Sequence, residues 1–248
     1  MQIGERVYRV ESCSSTNDLA REMARRGEPE GTAIVSEEQS KGRGTRGRSW
    51  FSAKNLGLYL SIILRPGRLR ASLLPLLGGL ATSEAIFETL GIRTGLKWPN
   101  DIVWGRRKLG GILCESEFTG NRLDYTILGI GVNLNHRRED FPDEIRDKAV
   151  SLRMISGGTV ESLSLLSSLW IRLNHWYNIL LRGKEKEIVA SYEEKLIHPK
   201  GATLILSTEE GERSGTFQGI DLEGRLIVES EGRRFHFIAG EIHSFREA

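Results

Sequence analysis

Two periodicities run through this chain. Residues 14–27, SSTNDLAREMARRG, open with a Ser/Thr/Asn cluster, space Leu19 and Met23 four apart, and close on Gly27. That pattern predicts a capped helix. GTAIVSEEQ (31–39) and the apolar run LGLYLSIILR (56–65) predict strands. SLLPLLGGLATSEAIFETLG (72–91) predicts a long helix, with Pro75 tolerated only in its first turn and Gly91 ending it. Further on, DIVW (101–104) and KLGGILCESEF (108–118) flank a GRR hairpin signal. LDYTILGIGVNLN (123–135) follows the turn TGNR. An amphipathic helix is expected over 159–183 and a shorter one over 184–196. Up to about residue 197 the order of elements predicts an α+β domain with a mixed sheet.

His198-Pro199-Lys200-Gly201 breaks this pattern. Beyond it TLILS, RSGTFQGI, RLIVES and RRFHFIA read as short strands, separated by the turns EEGE (209–212), DLEG (221–224) and ESEG (229–232). Regular turns at this spacing predict a small all-β barrel over 198–248, packed on the domain formed by 1–197 because a unit that small is marginal alone.

Composition narrows the picture only slightly. With 39% hydrophobic and 27% charged residues among 248, the chain reads as an ordinary soluble protein. Its 35 Lys+Arg against 33 Asp+Glu leave a net charge of +2, too small for a surface devoted to nucleic acid. Cys13 and Cys114 lie far apart in no CxxC or Cys/His cluster, so neither zinc nor a structural disulfide is indicated. The N-terminus carries charges where a signal peptide needs an apolar run, and the apolar stretch 73–81 is shorter than the roughly 18 residues of a membrane span. A cytoplasmic protein without a membrane segment is expected.

Charge does matter locally. SKGRGTRGRSW (40–50) holds four cations, three glycines and no acid. Its backbone N–H groups can approach an anion closely, and Arg43, Arg46 and Arg48 supply forked donors. It is neither a P-loop nor a dinucleotide fingerprint. The residues alone leave open a phosphate or carboxylate ligand, nucleic acid, or a solvated loop. Trp50 either stacks on a base or packs in the core. In LKWPNDIVWGRRKLGGILCE (96–115), Lys97 and Lys108 face water or, turned inward, imply an anionic ligand. Asp101 either caps a turn or binds Mg²⁺. Gly110-Gly111, and Gly129 and Gly131 in LGIGVNLN, leave room for a ligand or mark a bulge. Ser15-Thr16-Asn17 can cap a helix and hold a polar ligand group. No nucleophile elbow or Ser-His-Asp order appears, which points to positioning and charge stabilisation.

Taken together, STN, GRGTRGRSW, KWPND, KLGGIL, GIGVNLN and GEIHSFR resemble, in order and spacing over residues 7–246, the biotin protein ligases. The chain is similar to the members without an N-terminal DNA-binding domain. The resemblance implies a class II synthetase-like biotin/lipoate ligase fold followed by an SH3-like barrel. It implies activation of biotin by Mg·ATP to biotinyl-5′-AMP and transfer to a lysine of the biotin carboxyl carrier protein of a carboxylase, by a homodimer that binds no DNA. Lipoate–protein ligase and a nucleic-acid-binding module are the alternatives.

Carried over from the family, Ser15, Thr16, Asn17 and Gln39 would hold biotin, with Gly42, Arg43, Gly44 and Thr45 closing over it and Gly110 and Gly111 beside it. Arg43, Lys97 and Lys108 would be catalytic, and the two lysines would neutralise the α-phosphate and the biotin carboxylate. Arg46, Arg48, Trp50, Lys97, Asn100, Asp101, Gly131 and Asn133 would hold the nucleotide, with Trp50 stacked on adenine and Asp101 near Mg²⁺. The sequence departs from the family at Thr45, where an Arg is usual.

Overall fold

The computed structural model describes residues 2–67, 71–208 and 211–246, and within them the strands form two sheets. The first contains β1 (Val7–Cys13), β2 (Ala33–Gln39), β3 (Gly57–Leu64), β4 (Gly95–Lys97), β5 (Asp101–Trp104), β6 (Arg107–Thr119) and β7 (Arg122–Asn133). Their spatial order is β1-β2-β3-β7-β6-β5-β4, with β1–β2 parallel and the other pairs antiparallel. Helices α1 (Thr16–Arg25), α2 (Leu74–Leu90), α3 (Asp143–Arg146), α4 (Leu152–Ser156), α5 (Ser162–Leu181) and α6 (Glu185–Glu193) complete this half.

Strand alternation decides where the core lies and where a groove is left. Leu58, Leu60, Ile62 and Leu64 of β3 share one face with Ile112 of β6 and Leu128, Ile130 and Val132 of β7. That face packs under α2, which in turn packs on α5 and α6. Each large apolar side chain removed from water there contributes about 1.5–3 kcal/mol. The opposite face is covered by α1 only at one end, where Ala20 and Ala24 pack on Ile34, Ile63 and Ile127. Further along that face the positions are Ser61, Gly129, Gly131 and Gly111, and the sheet floor stays open for a ligand.

The second sheet holds β8 (Thr203–Thr208), β9 (Gly211–Ile220), β10 (Leu226–Ser230), β11 (Arg233–Phe237) and β12 (Glu241–Arg246), all antiparallel in the order β11-β10-β9-β8-β12. Its inward residues Leu204, Leu206, Phe217, Leu226 and Ile242 join the same continuous core as the first sheet. Two hydrogen bonds fix the junction. Trp98 Nε1 donates to the Gly224 carbonyl at 3.0 Å, and the Ile220 N–H donates to Glu193 Oε1 at 2.5 Å.

Most expected elements are present within a few residues of their predicted limits. Strand β1 was not expected, nor were the three-residue β4 and the short helices α3 and α4. The expected turn at 209–212 includes residues 209 and 210, outside the described residues. The apolar segment also needs correction. Ala71–Leu90, counted with its Ala, Ser and Thr residues, is long and apolar enough to cross a membrane by length and composition. It is nevertheless a core helix, with 67% of its most apolar window buried inside the protein.

Candidate active site

The groove begins where α1 starts. Ser15, Thr16 and Asn17 are buried at the helix N-terminus. Gln39 ends β2 beside them, and its Oε1 accepts from the Thr16 N–H at 2.8 Å and lies 3.0 Å from Thr16 Oγ1. Gln39 Nε2 donates to Ser52 Oγ at 2.8 Å, and Ser52 Oγ donates to the Trp50 carbonyl at 3.1 Å. Below them the buried Ser61 hydroxyl stands 2.7 Å from Thr16 Oγ1 and 2.5 Å from Asn17 Oδ1. A side chain at Gly129 would strike the Asn17 amide, since an ideal Cβ would lie 2.3 Å from Oδ1.

The basic loop crosses over this groove. The Trp50 N–H donates to the Gly42 carbonyl at 2.8 Å, and the Gly44 N–H donates to the Arg48 carbonyl at 2.7 Å, which closes the loop on itself. Its tip is a short 3₁₀ turn, Thr45–Gly47, with Arg46 at φ 57° and Gly47 at φ 71°. The Trp50 indole lies against the floor at Gly131, and its Nε1 is buried without a hydrogen-bond partner among the described residues. Lys108 Nζ stands 5.5 Å from the indole centroid and 2.5 Å from Asp101 Oδ1.

Twelve of the expected residues line one cavity. They are Ser15, Thr16, Asn17 and Gln39 at one end, Arg43, Gly44, Thr45 and Trp50 in the cover, and Asn100, Lys108, Gly111 and Gly131 toward the other end. Lys97, Arg46, Arg48 and Asp101 line a second cavity together with Glu241; Thr45 and Asn100 are common to both. Lys97 thus lines the second cavity and Lys108 the first, with Asp101 bonded to Lys108 and paired across the strands with Lys97. Arg48 Nη1 holds the Glu241 carboxylate at 3.0 and 3.1 Å, while Arg46 Nη2 donates to the Ser207 carbonyl at 3.2 Å. Burial opposes the Glu241 charge, but the Arg48 bond and the nearby His243 and Lys97 outweigh it and hold the carboxyl below its ordinary range.

Three expected residues line neither cavity. Gly42 supports the loop base, Gly110 packs under the Gly131 carbonyl, and Asn133 Nδ2 donates to the Val150 carbonyl at 3.1 Å. The Arg43 guanidinium is also committed, to Asp18 at 2.6 Å and to Glu115 at 2.7 Å. Burial works against its charge, and the two carboxylates overcome that and raise its pKa. Asp101 is engaged by Lys108, and among the described residues no three His, Cys, Asp or Glu side chains gather into a metal site. Sequence reasoning missed Ser52, Ser61, Glu115 and Glu241. The signal available was a polar residue inside an apolar strand, Ser61 in LYLSIIL and Glu115 in ILCESEF.

A glycine-rich cover over a groove with one polar and one cationic end, on a mixed sheet joined to a small antiparallel barrel, also describes a known class. A profile of the biotin/lipoate A/B protein ligase family matches residues 10–133, and one of the biotin protein ligase C-terminal domain matches 203–243. The chain is 33% identical over 231 residues to the bifunctional ligase/repressor BirA of Bacillus spizizenii, covering 92% of this chain and 71% of that protein. It is 31% identical over 214 residues to the biotin–[acetyl-CoA-carboxylase] ligase of Paracoccus denitrificans, covering 84% and 88%. The biotin protein ligase of Aquifex aeolicus, solved in complex with biotin and ATP, superposes with a TM-score of 0.81 at 31% identity, over 98% of this chain and 100% of that one. Within the wider family, the chain belongs to the biotin protein ligases.

Proposed function

We propose that the groove joins biotin to AMP and then passes biotin to a lysine of a biotin carboxyl carrier domain. One observation carries the reading. A single cavity is polar at Ser15, Thr16 and Gln39, apolar along Trp50, Leu113 and the bare backbone of Gly111, Gly129 and Gly131, and cationic at Lys108. Biotin has the same sequence of parts: a ureido head that donates and accepts, an apolar chain, and a carboxylate.

The chemistry follows from the charges. A carboxylate oxygen attacks the α-phosphorus of ATP; a new P–O bond forms as the bond to pyrophosphate breaks. Two anions must approach each other, so a cation held near both lowers the barrier. Lys108 occupies that position, and Asp101 fixes its ammonium. Arg46, Arg48 and Lys97 line the adjoining cavity and suit the β- and γ-phosphates and the departing pyrophosphate. Trp50 offers its ring face to adenine and its free N–H to the ligand. In the second step the neutral amine of the acceptor lysine attacks the acyl carbon and AMP leaves. Until then the covered groove keeps water from the mixed anhydride.

Magnesium enters as part of the Mg·ATP substrate, coordinated by its phosphates. The name of the Paracoccus relative supports a carboxylase as the owner of the acceptor domain. A homodimer working in the cytoplasm completes the reading; sedimentation of the purified protein tests the first and fractionation of cells the second. The function itself is tested by pyrophosphate exchange. Labelled pyrophosphate should enter ATP with biotin present and should not with lipoate. Equal exchange with lipoate would remove biotin as the substrate.

A further inference from the structure

Arg43 lines the groove from its cover, yet both of its terminal nitrogens are engaged by acids. Nη1 meets Asp18 on α1 at 2.6 Å, and Nη2 meets Glu115 on β6 at 2.7 Å. Arg21, one turn along α1, binds the same pair, with Nη1 3.0 Å from Asp18 and Nη2 2.9 Å from Glu115. Asn17 Nδ2 adds a 2.7 Å bond to Glu115 Oε2.

The two arginines differ in what they are attached to. Arg21 and both acids stand on rigid elements, whereas Arg43 belongs to the loop. If the loop lifts, Arg21 and Asn17 keep the acids in place, and a seat of net charge −1 remains for an arginine of charge +1. The loop must lift for a ligand to enter. It narrows the groove without sealing it, leaving a cavity of about 40 Å³, room for a few waters at most.

We propose that Asp18 and Glu115, held ready by Arg21, are positioning residues that latch the glycine-rich loop through Arg43, and that Arg43 is the latch rather than a group acting on the phosphate. The latch sets how long the loop stays closed over the intermediate; it does not take part in forming it. It is about one-third exposed, with side-chain accessibilities of 35%, 37% and 26% for Arg43, Asp18 and Glu115. Its strength therefore responds to salt, and each bond is worth less than a buried pair.

The latch itself can be tested without any ligand, whereas its effect on the intermediate rests on the function proposed above. In ligand-free protein, trypsin nicking after Lys41, Arg46 and Arg48 reports loop opening. Asp18→Asn and Glu115→Gln should each raise the nicking rate about three- to tenfold, the scale of losing one partly exposed charge-assisted bond. Adding 0.5 M KCl should speed nicking of the unaltered protein and leave the double variant nearly unchanged. Arg43→Met combined with Glu115→Gln should nick no faster than Arg43→Met alone. Unchanged nicking in both single variants, or fully additive effects in that pair, would overturn the latch. Thermal midpoints within about two degrees of the parent exclude general unfolding as the cause. With biotin and ATP, Asp18→Asn and Glu115→Gln should release the intermediate about three- to tenfold faster, while their single-turnover adenylation at saturating biotin stays within twofold. A fall in that chemical step matching the rise in release would overturn the positioning role. Faster nicking in a protein that makes no adenylate would sink the biotin reading and leave the latch standing.

Discussion

Gly131 lies directly beneath the Trp50 indole. A Cβ built on Gly131 would come within 2.6 Å of the ring, whereas one on the paired Gly111 would come no closer than 3.4 Å. The floor of the groove is thus cut for an aromatic ring at one position and merely tolerant at the next. Gly131→Ala should push the indole off the sheet and raise the KM for ATP about tenfold, roughly 1.4 kcal/mol. Gly111→Ala should change it less than threefold. Steady-state kinetics of the two variants check this, and equal effects would show that Trp50 is not seated on Gly131 during turnover.

Lys108 and Lys97 should fail in different ways. Lys108→Ala removes the cation between carboxylate and α-phosphate, and adenylation should drop by roughly 10²-fold or more in kcat. Lys97→Ala touches only the neighbouring cavity, and should raise the KM for ATP with a smaller change in kcat. Pyrophosphate exchange at varied ATP separates the two, and a Lys108→Ala protein with unaltered kcat would show that its ammonium only pairs with Asp101.

Thr45 borders both cavities, and its hydroxyl lies 3.3 Å from Arg48 Nη2. An arginine at this place would add charge and several donors near the phosphate, worth on the order of 1.5–3 kcal/mol if shielded. Thr45→Arg should slow escape of preformed biotinyl-AMP about tenfold or more in a chase with unlabelled biotin and ATP. Unchanged or faster release would mean that Arg46 and Arg48 already supply that grip.

Acid should destabilise the fold through two histidines. His136, stacked on Phe141 at 4.7 Å, and His198 are both buried, and burial holds each pKa down at about 4. An unfolded chain binds these protons near pH 6.5, the native one only near 4, so stability is full above about 6.5 and falls as the pH drops toward 4. The slope is about 1.4 kcal/mol per pH unit for each histidine. The urea midpoint should fall between pH 7 and 5, and His136→Phe should flatten that fall by about half. A midpoint independent of pH over this range would contradict the burial of both rings.

Helices α2 and α5 and the strands around the two glycine pairs were legible because their apolar periods and end signals agree. Strand β1 escaped because it is a sheet edge with both faces largely exposed. VYRVESC shows no clean alternation. Within the site, the motif residues that converge were visible as motifs, but their division between two cavities was not. A register shift between Ile102 and Val103 sets Lys108 opposite Val103 and leaves Lys97 paired with Asp101. A bulge of that kind has no sequence mark here beyond ordinary apolar residues. Arg43 was read as facing the ligand because the acids that claim it, Asp18 and Glu115, lie 25 and 72 residues away in sequence.

The bond from Arg48 to Glu241 also has a meaning in time. Protein synthesis is vectorial, and all seven strands of the first sheet leave the ribosome about a hundred residues before Glu241 does. At cellular translation speeds that gap lasts roughly 5 to 20 s. During it the nascent sheet has a loop with one support missing, and the brace arrives only when the barrel folds. A polypeptide stalled in that interval would display its groove with an unbraced cover.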